Sequence, residues 1–457
     1  MYKHLTKALC LGGMVLSLGS CSFFELEDVS DPNFPDRTAF LANPTKSQLD
    51  FLATGTFSDL RTNGSGTGQG ILLAYQVPGV IGREIYVLST SDNRYVTELL
   101  GINPIDNANY LSGYFGAYSS ARRTARTLAD AATNSPQITE EQRNGYLGFA
   151  NTAEAYAMLI LSDLQYENGL RIDVSDPLKP GKIQPYPQVI AAIKAKLDLA
   201  ATQFAKAGAT LPFPVPSGFA SFNTPATMLR FNRALAARTA IRTNNYADAL
   251  AAVQASFFSL TASPTAGPLF NYGGANPDVF NSLFQVPNSK GSTVVVAHPS
   301  FITDIRPTDT RVSKVRKRDL RSTTGLSSEY EPAIYASNTA PIPVIKNEEL
   351  ILIAAEAYLL GTTTKDKAKA VEAINVLANF YKVAPVTIAD SDAKLLNEIL
   401  YHRRYSLFYE GQRWVDLRRL NRLGDITPET TSDGKKTTVL KQMPLPFAEV
   451  QWDVSNP

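Results

Sequence analysis

Apolar residues recur at intervals of three and four along much of the chain, with polar residues between them, the spacing that lines one face of an α-helix. Leu111, Phe115 and Tyr118 begin one such stripe in a segment ending near Ala132, and Ala150, Ala153, Ala157, Leu161 and Leu164 make the next. The spacing predicts further helices over about 186–207, 225–243, 246–259, 347–360, 365–380 and 391–410, and Gln48 to Leu60 also reads as helical. Strand signals are few and short, Thr293 to Ala297 (TVVVA) being the clearest. The pattern predicts a mostly α fold.

Two helix pairs look alike. Leu235 to Ala240 leads through Asn244, Asn245 and Tyr246 to Ala247 to Leu250, and Ile353 to Ala357 leads through Gly361 and a polar turn to Ala368 to Val371. Small residues facing each other across a helical hairpin let the helices approach closely, the logic of tetratricopeptide-like repeats. Two stretches lack helical spacing, about 63–110, opening with Asn63 to Gly70, and about 261–345, rich in Pro, Gly, Ser and Thr with a basic run at Lys314 to Arg321. Long irregular stretches in a folded domain usually bind something, so ligand loops are expected there, at about 70–110 and 265–340.

The N-terminus has a different pattern. Lys3 and Lys7 precede an apolar run from Ala8 to Leu18, and Leu18-Gly19-Ser20-Cys21 follows. A run of roughly 11 residues is too short to cross a bilayer core, which needs about 20 in a helix, so residues 1–20 are expected to be a signal peptide. Leu18-Gly19-Ser20-Cys21 resembles the lipobox of bacterial lipoproteins, which implies a lipidated Cys21. Acyl chains contribute about 0.8 kcal/mol per buried methylene. Residues 21–40, with Glu25, Glu27, Asp28, Asp31 and Asp36, read as an acidic tether, and 41–457 as a single domain.

Composition then narrows the function. Of 44 Lys+Arg against 42 Asp+Glu, two Lys and no acids lie in residues 1–20, leaving a formal balance of 42 against 42. A neutral chain argues against a nucleic-acid partner, which needs basic excess. The two cysteines are Cys10, inside the leader, and Cys21, so Cys chemistry is excluded, and His298 and His402 are too sparse for a His-rich metal site. The glycine run lacks a preceding strand and a following G-K-[ST], so it reads as a flexible loop rather than a phosphate cradle. No G-x-S-x-G or H-E-x-x-H occurs. A distant acid pair for glycoside hydrolysis stays open.

Aromatic residues make up 10% of the chain, and their faces can stack on sugar rings while neighbouring Asp, Asn and Arg bond the hydroxyls. Polar and aromatic groups coincide best at Ser91 to Tyr95, so Asp92, Arg94 and Tyr95 are the candidate ligand residues, with Tyr272 and Tyr335 behind them. An Asp-bearing loop, Asp304 to Asp309, could hold a Ca²⁺; no other cofactor is expected.

The stretch Tyr401 to Leu420, YHRRYSLFYEGQRWVDLRRL, mixes Arg, acids and aromatics densely enough to look like a site. Leu396, Leu400 and Leu407 place it on a helix, Gly411 sits where a helix end wants φ > 0, and Trp414, Val415, Leu417 and Leu420 start another. Both a functional cluster and a structural ion-pair network fit, and a network is favoured because buried charges need partners.

This stretch closely resembles the C-terminal signature of the SusD/RagB family, through Arg403, Arg404, Leu407, Phe408, Glu410, Gly411, Arg413, Trp414, Asp416, Leu417, Arg418 and Arg419. His402 and Ser406 stand where that family favours Glu. Glu349 to Ala357 and Met443-Pro444-Leu445-Pro446 with Glu449 are similar to two further family segments. The resemblance implies a SusD-like fold with a tetratricopeptide-like scaffold, in a Bacteroidota lipoprotein on the cell surface. It further implies a nutrient ligand, commonly an oligosaccharide, and a SusC-like TonB-dependent transporter in the outer membrane as partner. A non-enzymatic binder is the expectation. A surface glycan hydrolase and a helical-repeat adaptor without small ligand are the rivals.

Overall fold

The computed structural model describes residues 41–61, 70–176, 178–273 and 278–456. Helices α1 (Lys46–Arg61) and α2 (Gly70–Ile81) lead into strand β1 (Ile85–Ser89). Next come α3 (Gly113–Asn134), α4 (Glu140–Gln165), α5 (Tyr186–Phe204), α6 (Pro225–Ile241) and α7 (Tyr246–Gln254). Strands β2 (Thr293–Ala297), β3 (Val315–Thr323) and β4 (Leu326–Pro332) precede α8 (Asn347–Leu360), α9 (Lys367–Tyr381) and α10 (Asp392–Ser406). The chain closes with α11 (Gln412–Arg419) and α12 (Phe447–Ser455). The fold is mostly α, and the helices read from periodicity are present with ends shifted by a few residues, as frayed termini allow.

Local chemistry sets several of these ends. Thr139 Oγ1 accepts from the Gln142 amide at 3.2 Å while the Gln142 side chain accepts from the Thr139 amide at 3.0 Å, a capping box that opens α4. Thr224 and Thr227 do the same for α6, with Pro225 in the first turn. From α3 to α11 each helix packs on the next in sequence, the arrangement of stacked helical hairpins. Small residues permit the close approach: a Cβ on Gly148 of α4 would stand 2.8 Å from the Phe204 ring of α5, and Ala354, Ala355 and Ala357 of α8 are fully enclosed.

The stretch expected to be irregular over 63–110 is not so throughout. Residues 62–69, with most of the glycine run, lie outside the described residues, but Gly70 onward is α2, GILLAYQVPGVI, buried at every position except Leu72. A helix that is apolar on all faces has no amphipathic period to read, and Pro78 and Gly79 mimic breakers. β1 pairs antiparallel with β2, Ile85 opposite Ala297 and Ser89 opposite Thr293.

The 261–345 stretch likewise carries the antiparallel β3–β4 pair. Its basic run is structural, since Arg316 and Arg318 reach Glu331 of β4 at 2.7 and 3.0 Å. No described helix is long and apolar enough to cross a membrane.

Candidate functional site

The chain leaves the β1–β2 ladder at Ser89 and turns through Thr90 to Asn93 into one helical turn, Arg94–Thr97. The Ser89 hydroxyl accepts from the Asp92 amide at 3.0 Å, and Asp92 Oδ1 accepts from the Arg94 amide at 3.0 Å, so backbone contacts fix the turn. Arg94 lies between two carboxylates, 3.7 Å from Asp92 and 3.6 Å from Glu98, and its guanidinium stands over the Tyr110 ring at 5.8 Å. Tyr95 packs against Tyr110 with ring centroids 5.8 Å apart. Burial, followed by hydrogen bonds to Asp92 and Tyr95, pushes the Tyr110 hydroxyl well above the usual phenol range, so it stays a donor.

The result is a shelf with the Arg94 side chain 44% exposed and Asp92 32% exposed, flanked by two half-buried tyrosines. Glu98 is spoken for, since it also accepts from the Asp106 amide and the Asn109 side chain at 3.0 and 2.9 Å. Asp92, Arg94 and Tyr95 are thus brought together as the sequence suggested. Tyr110, fifteen positions further on, was missed; its signal was only another aromatic in the same stretch, beside Asn109.

Two other candidates are corrected. Tyr272 is 6% exposed and Tyr335 5% exposed, both in the main core. The Tyr272 hydroxyl donates to the Arg61 carbonyl at 3.1 Å, and neither ring presents a face to a ligand. Apolar packing beneath the long connections claims them, as it does most large rings. Cys21 lies outside the described residues.

The family-like stretch is an ion-pair network. Asp416 accepts from Arg403 at 2.6 Å and from Arg419 at 3.0 Å, and Arg419 reaches Glu356 of α8 at 2.5 Å, with all four side chains at most 2% exposed. Burial opposes ionisation of Asp416, yet Arg403 and Arg419 hold its carboxyl below the usual carboxylate range. Glu410 pairs with Lys346 at 2.5 Å. Arg413 donates to the Gly82 carbonyl, Trp414 to that of Leu440, and Arg418 to those of Asp163 and Lys441. Gly411 has φ +74°, and a Cβ there would meet Pro78 of α2 at 3.0 Å, so the α10–α11 corner sits on α2.

Of the two departures from the family pattern, Ser406 has a hydrogen-bond partner and the His402 ring has none among the described residues. Ser406 Oγ accepts from Arg311 at 2.9 Å. His402, fully enclosed, is lowered to about 3 by burial and then by Arg311, so it is neutral although Glu398 stands 3.5 Å away. The acids of the proposed Ca²⁺ loop are held by guanidinium groups, Asp304 by Arg404 at 2.8 Å and Asp309 by Arg311 at 2.6 Å. Among the described residues no cluster of three His, Cys, Asp or Glu could hold a metal.

Glu84, 3% exposed, lies at the turn between α2 and β1 and accepts from the Tyr409 amide at 3.2 Å. Burial raises its carboxyl to about 8 against the opposing charge of Arg413. The unfolded chain ionises Glu84 above its ordinary value of 4.5 while the fold keeps it neutral to about 8. Its contribution is therefore full below pH 4.5 and lost as pH rises toward 8, a change of order a few kcal/mol. Glu84→Gln should flatten that fall in chemical-denaturation midpoints measured from pH 4.5 to 8.5; parallel profiles for the two proteins contradict the assignment.

The shelf residues line neither of two sizeable cavities. One of about 450 Å³ is bounded by Phe57, Arg61, Phe219, Phe270, Asn271 and Asp278, with Arg61 already bound to Asp278 at 2.6 Å. A second of about 290 Å³ lies between α3 and α12.

Against known proteins, residues 327–446 match the model of the SusD family. The fold is similar to that of surface glycan-binding protein A from Bacteroides thetaiotaomicron, at 11% identity and TM-score 0.71 over 92% of this chain and 99% of that one. The same protein in complex with laminarihexaose matches at 12% identity and TM-score 0.69, over 89% and 98%. A SusD superfamily protein from Bacteroides thetaiotaomicron VPI-5482 matches at 15% identity and TM-score 0.65, over 89% and 98%. At such identities the likeness establishes the fold. No curated protein matches the chain.

Proposed function

We propose that this chain, whose residues 327–446 belong to the SusD family and whose described part has the SusD-superfamily fold, is a surface glycan-capture protein with no catalytic step of its own. The observation that carries this reading is the shelf, where an exposed cation, an exposed carboxylate and two tyrosine rings stand on a backbone pinned by the β1–β2 ladder. Sugars present hydroxyls that bond to charged groups and C–H faces that lie against aromatic rings. A shelf suits a chain-like ligand that rests across it. The likeness to a glycan-binding protein that holds laminarihexaose supports the ligand class.

A hydrolase reading has less support. Glycoside hydrolysis needs a raised acid facing a second carboxylate across a cleft open to substrate. Glu84 is raised but enclosed, and Glu410, raised first by burial, is bonded to Lys346. Asp59, also raised by burial, accepts a 2.5 Å hydrogen bond from Thr124. On the shelf, Arg94 stands between Asp92 and Glu98.

In this reading Cys21 carries the lipid that keeps the protein on the outer membrane, and a SusC-like TonB-dependent transporter receives the ligand. The chain from residue 22 onward, applied to a glycan and peptide array, should bind an oligosaccharide saturably and release no reducing ends. Peptide-only binding or new reducing ends would count against the proposal. In cells, Cys21→Ala should move the chain from the membrane to the soluble fraction, and its retention at the membrane without the barrel partner would contradict the anchor.

A further inference from the structure

The second cavity shares no lining residue with the shelf and is built from unlike parts. Phe115, Ser119, Arg122 and Arg123 recur at helical spacing along α3 and form one wall, and Glu449 and Trp452 of α12 form the other. Its volume, about 290 Å³, is close to the lower end for small-ligand sites, about 300 Å³.

The charges of the cavity are unevenly used. Arg171 takes up both acids of α12, Glu449 at 2.7 Å and Asp453 at 2.8 Å. Arg122 is buried and spends its two terminal nitrogens on the carbonyls of Arg171 and Ile172, at 3.1 and 3.2 Å, while its Nε has no hydrogen-bond partner. Glu154 is 3.8 Å from Arg122 but is bound by Lys196 at 2.7 Å. Arg123 is exposed at the mouth and forms no ion pair among the described residues. The cavity thus offers one free guanidinium, one unsatisfied buried N–H, a hydroxyl on Ser119 and the half-buried indole of Trp452.

A guanidinium matches a carboxylate with two parallel hydrogen bonds, and an indole face accepts the C–H face of a ring. We infer that this pocket between α3 and α12 binds a carboxylate-bearing sugar, a uronate unit of an acidic oligosaccharide, with Arg123 on the carboxylate and Trp452 under the ring. None of the pocket's lining residues belongs to the shelf, so the two can be tested apart. A peptide C-terminus with an aliphatic side chain shares the carboxylate but has no ring to cover the indole, so the uronate fits more of the pocket.

The test uses intrinsic fluorescence and calorimetry on the chain from residue 22 onward. The protein has two tryptophans, and Trp414 is fully enclosed, so a stacked ligand should report through Trp452. Trimers of galacturonate, glucuronate and mannuronate are titrated beside their neutral hexose counterparts and a tripeptide with a free C-terminal carboxylate. At least one uronate trimer should change the fluorescence saturably, and its neutral counterpart should not. Arg123→Ala, which breaks no hydrogen bond or ion pair among the described residues, should weaken that binding at least ten-fold, and Trp452→Phe should abolish the signal while calorimetric binding persists. An Asp92→Ala/Arg94→Ala variant should keep the acidic ligand's affinity.

Three results would each overturn the assignment: no saturable response to any uronate trimer, equal affinity in Arg123→Ala, or tighter binding of the tripeptide. Loss of uronate binding in the Asp92→Ala/Arg94→Ala variant would move the acidic ligand to the shelf and empty this pocket of its role. Binding of neutral glycans at the shelf is read in the same titrations, so either reading can fail alone.

Discussion

Replacing Asp416 with Ala should destabilise the fold by about 3–5 kcal/mol, the range for breaking a buried ion pair. Asp416 is the shared acceptor of Arg403 and Arg419, and all three side chains are at most 2% exposed. Arg419 would retain Glu356, but Arg403 would keep a buried charge with its terminal nitrogens already unpartnered. Leaving one ion without its counter-ion costs more than the pair contributes, because the desolvation of the survivor is no longer offset. Asp416→Asn, which keeps the shape and an acceptor oxygen, should lose less. Guanidinium unfolding of the two variants and the parent tests this, and a midpoint for Asp416→Ala equal to the parent's would show that the network is not what fixes the α10–α11 corner.

An Asp92→Ala/Arg94→Ala variant should lose glycan affinity by about 10²–10⁴-fold. Hydrogen bonds to charged groups contribute about 1.5–3 kcal/mol each, and each 1.4 kcal/mol is a factor of ten. The same variant also loses the Asp92 bond to the Arg94 amide, a local, part-exposed contact, so it should still unfold in one cooperative transition with a melting temperature only a few degrees below the parent's. The Asp92–Arg94 contact is 3.7 Å long with both side chains about a third exposed or more, and exposed pairs contribute about 0–1 kcal/mol. Tyr95 is better tested as Phe than as Ala, because its ring packs against the core while its hydroxyl reaches Tyr110. Affinity and stability thus separate at this site, as they do not at Asp416.

Much of the scaffold was legible because amphipathic helices write their period into the sequence. Helix α8, Asn347–Leu360, falls where the spacing puts it, and the alanines of α6 and α8 betray close hairpins. α2 was invisible for the opposite reason: enclosed on almost all sides, it has no polar face to mark a period. The β3–β4 pair was hidden by charge, since Arg316 and Arg318 read as a solvated basic run until Glu331 is seen opposite them.

At the site the sequence could show that Asp92, Arg94 and Tyr95 are neighbours, because they are local. It could not show that Tyr110 returns to them or that Tyr272 and Tyr335 turn inward, because burial of a ring is settled by distant packing. The pocket formed by Arg123 and Trp452 joins residues more than three hundred positions apart, beyond the reach of any spacing argument.

The central claim is that the protein holds a glycan on the shelf and leaves it intact. Its most direct measurement is calorimetric titration of the oligosaccharide selected by the array into the parent chain and the Asp92→Ala/Arg94→Ala variant, with the sugar recovered and sized afterwards. The account predicts saturable binding to the parent, loss of at least a hundred-fold in a variant that stays folded at the titration temperature, and sugar of unaltered length. Equal affinity in the two proteins, or shortened sugar after incubation with the parent, would contradict it.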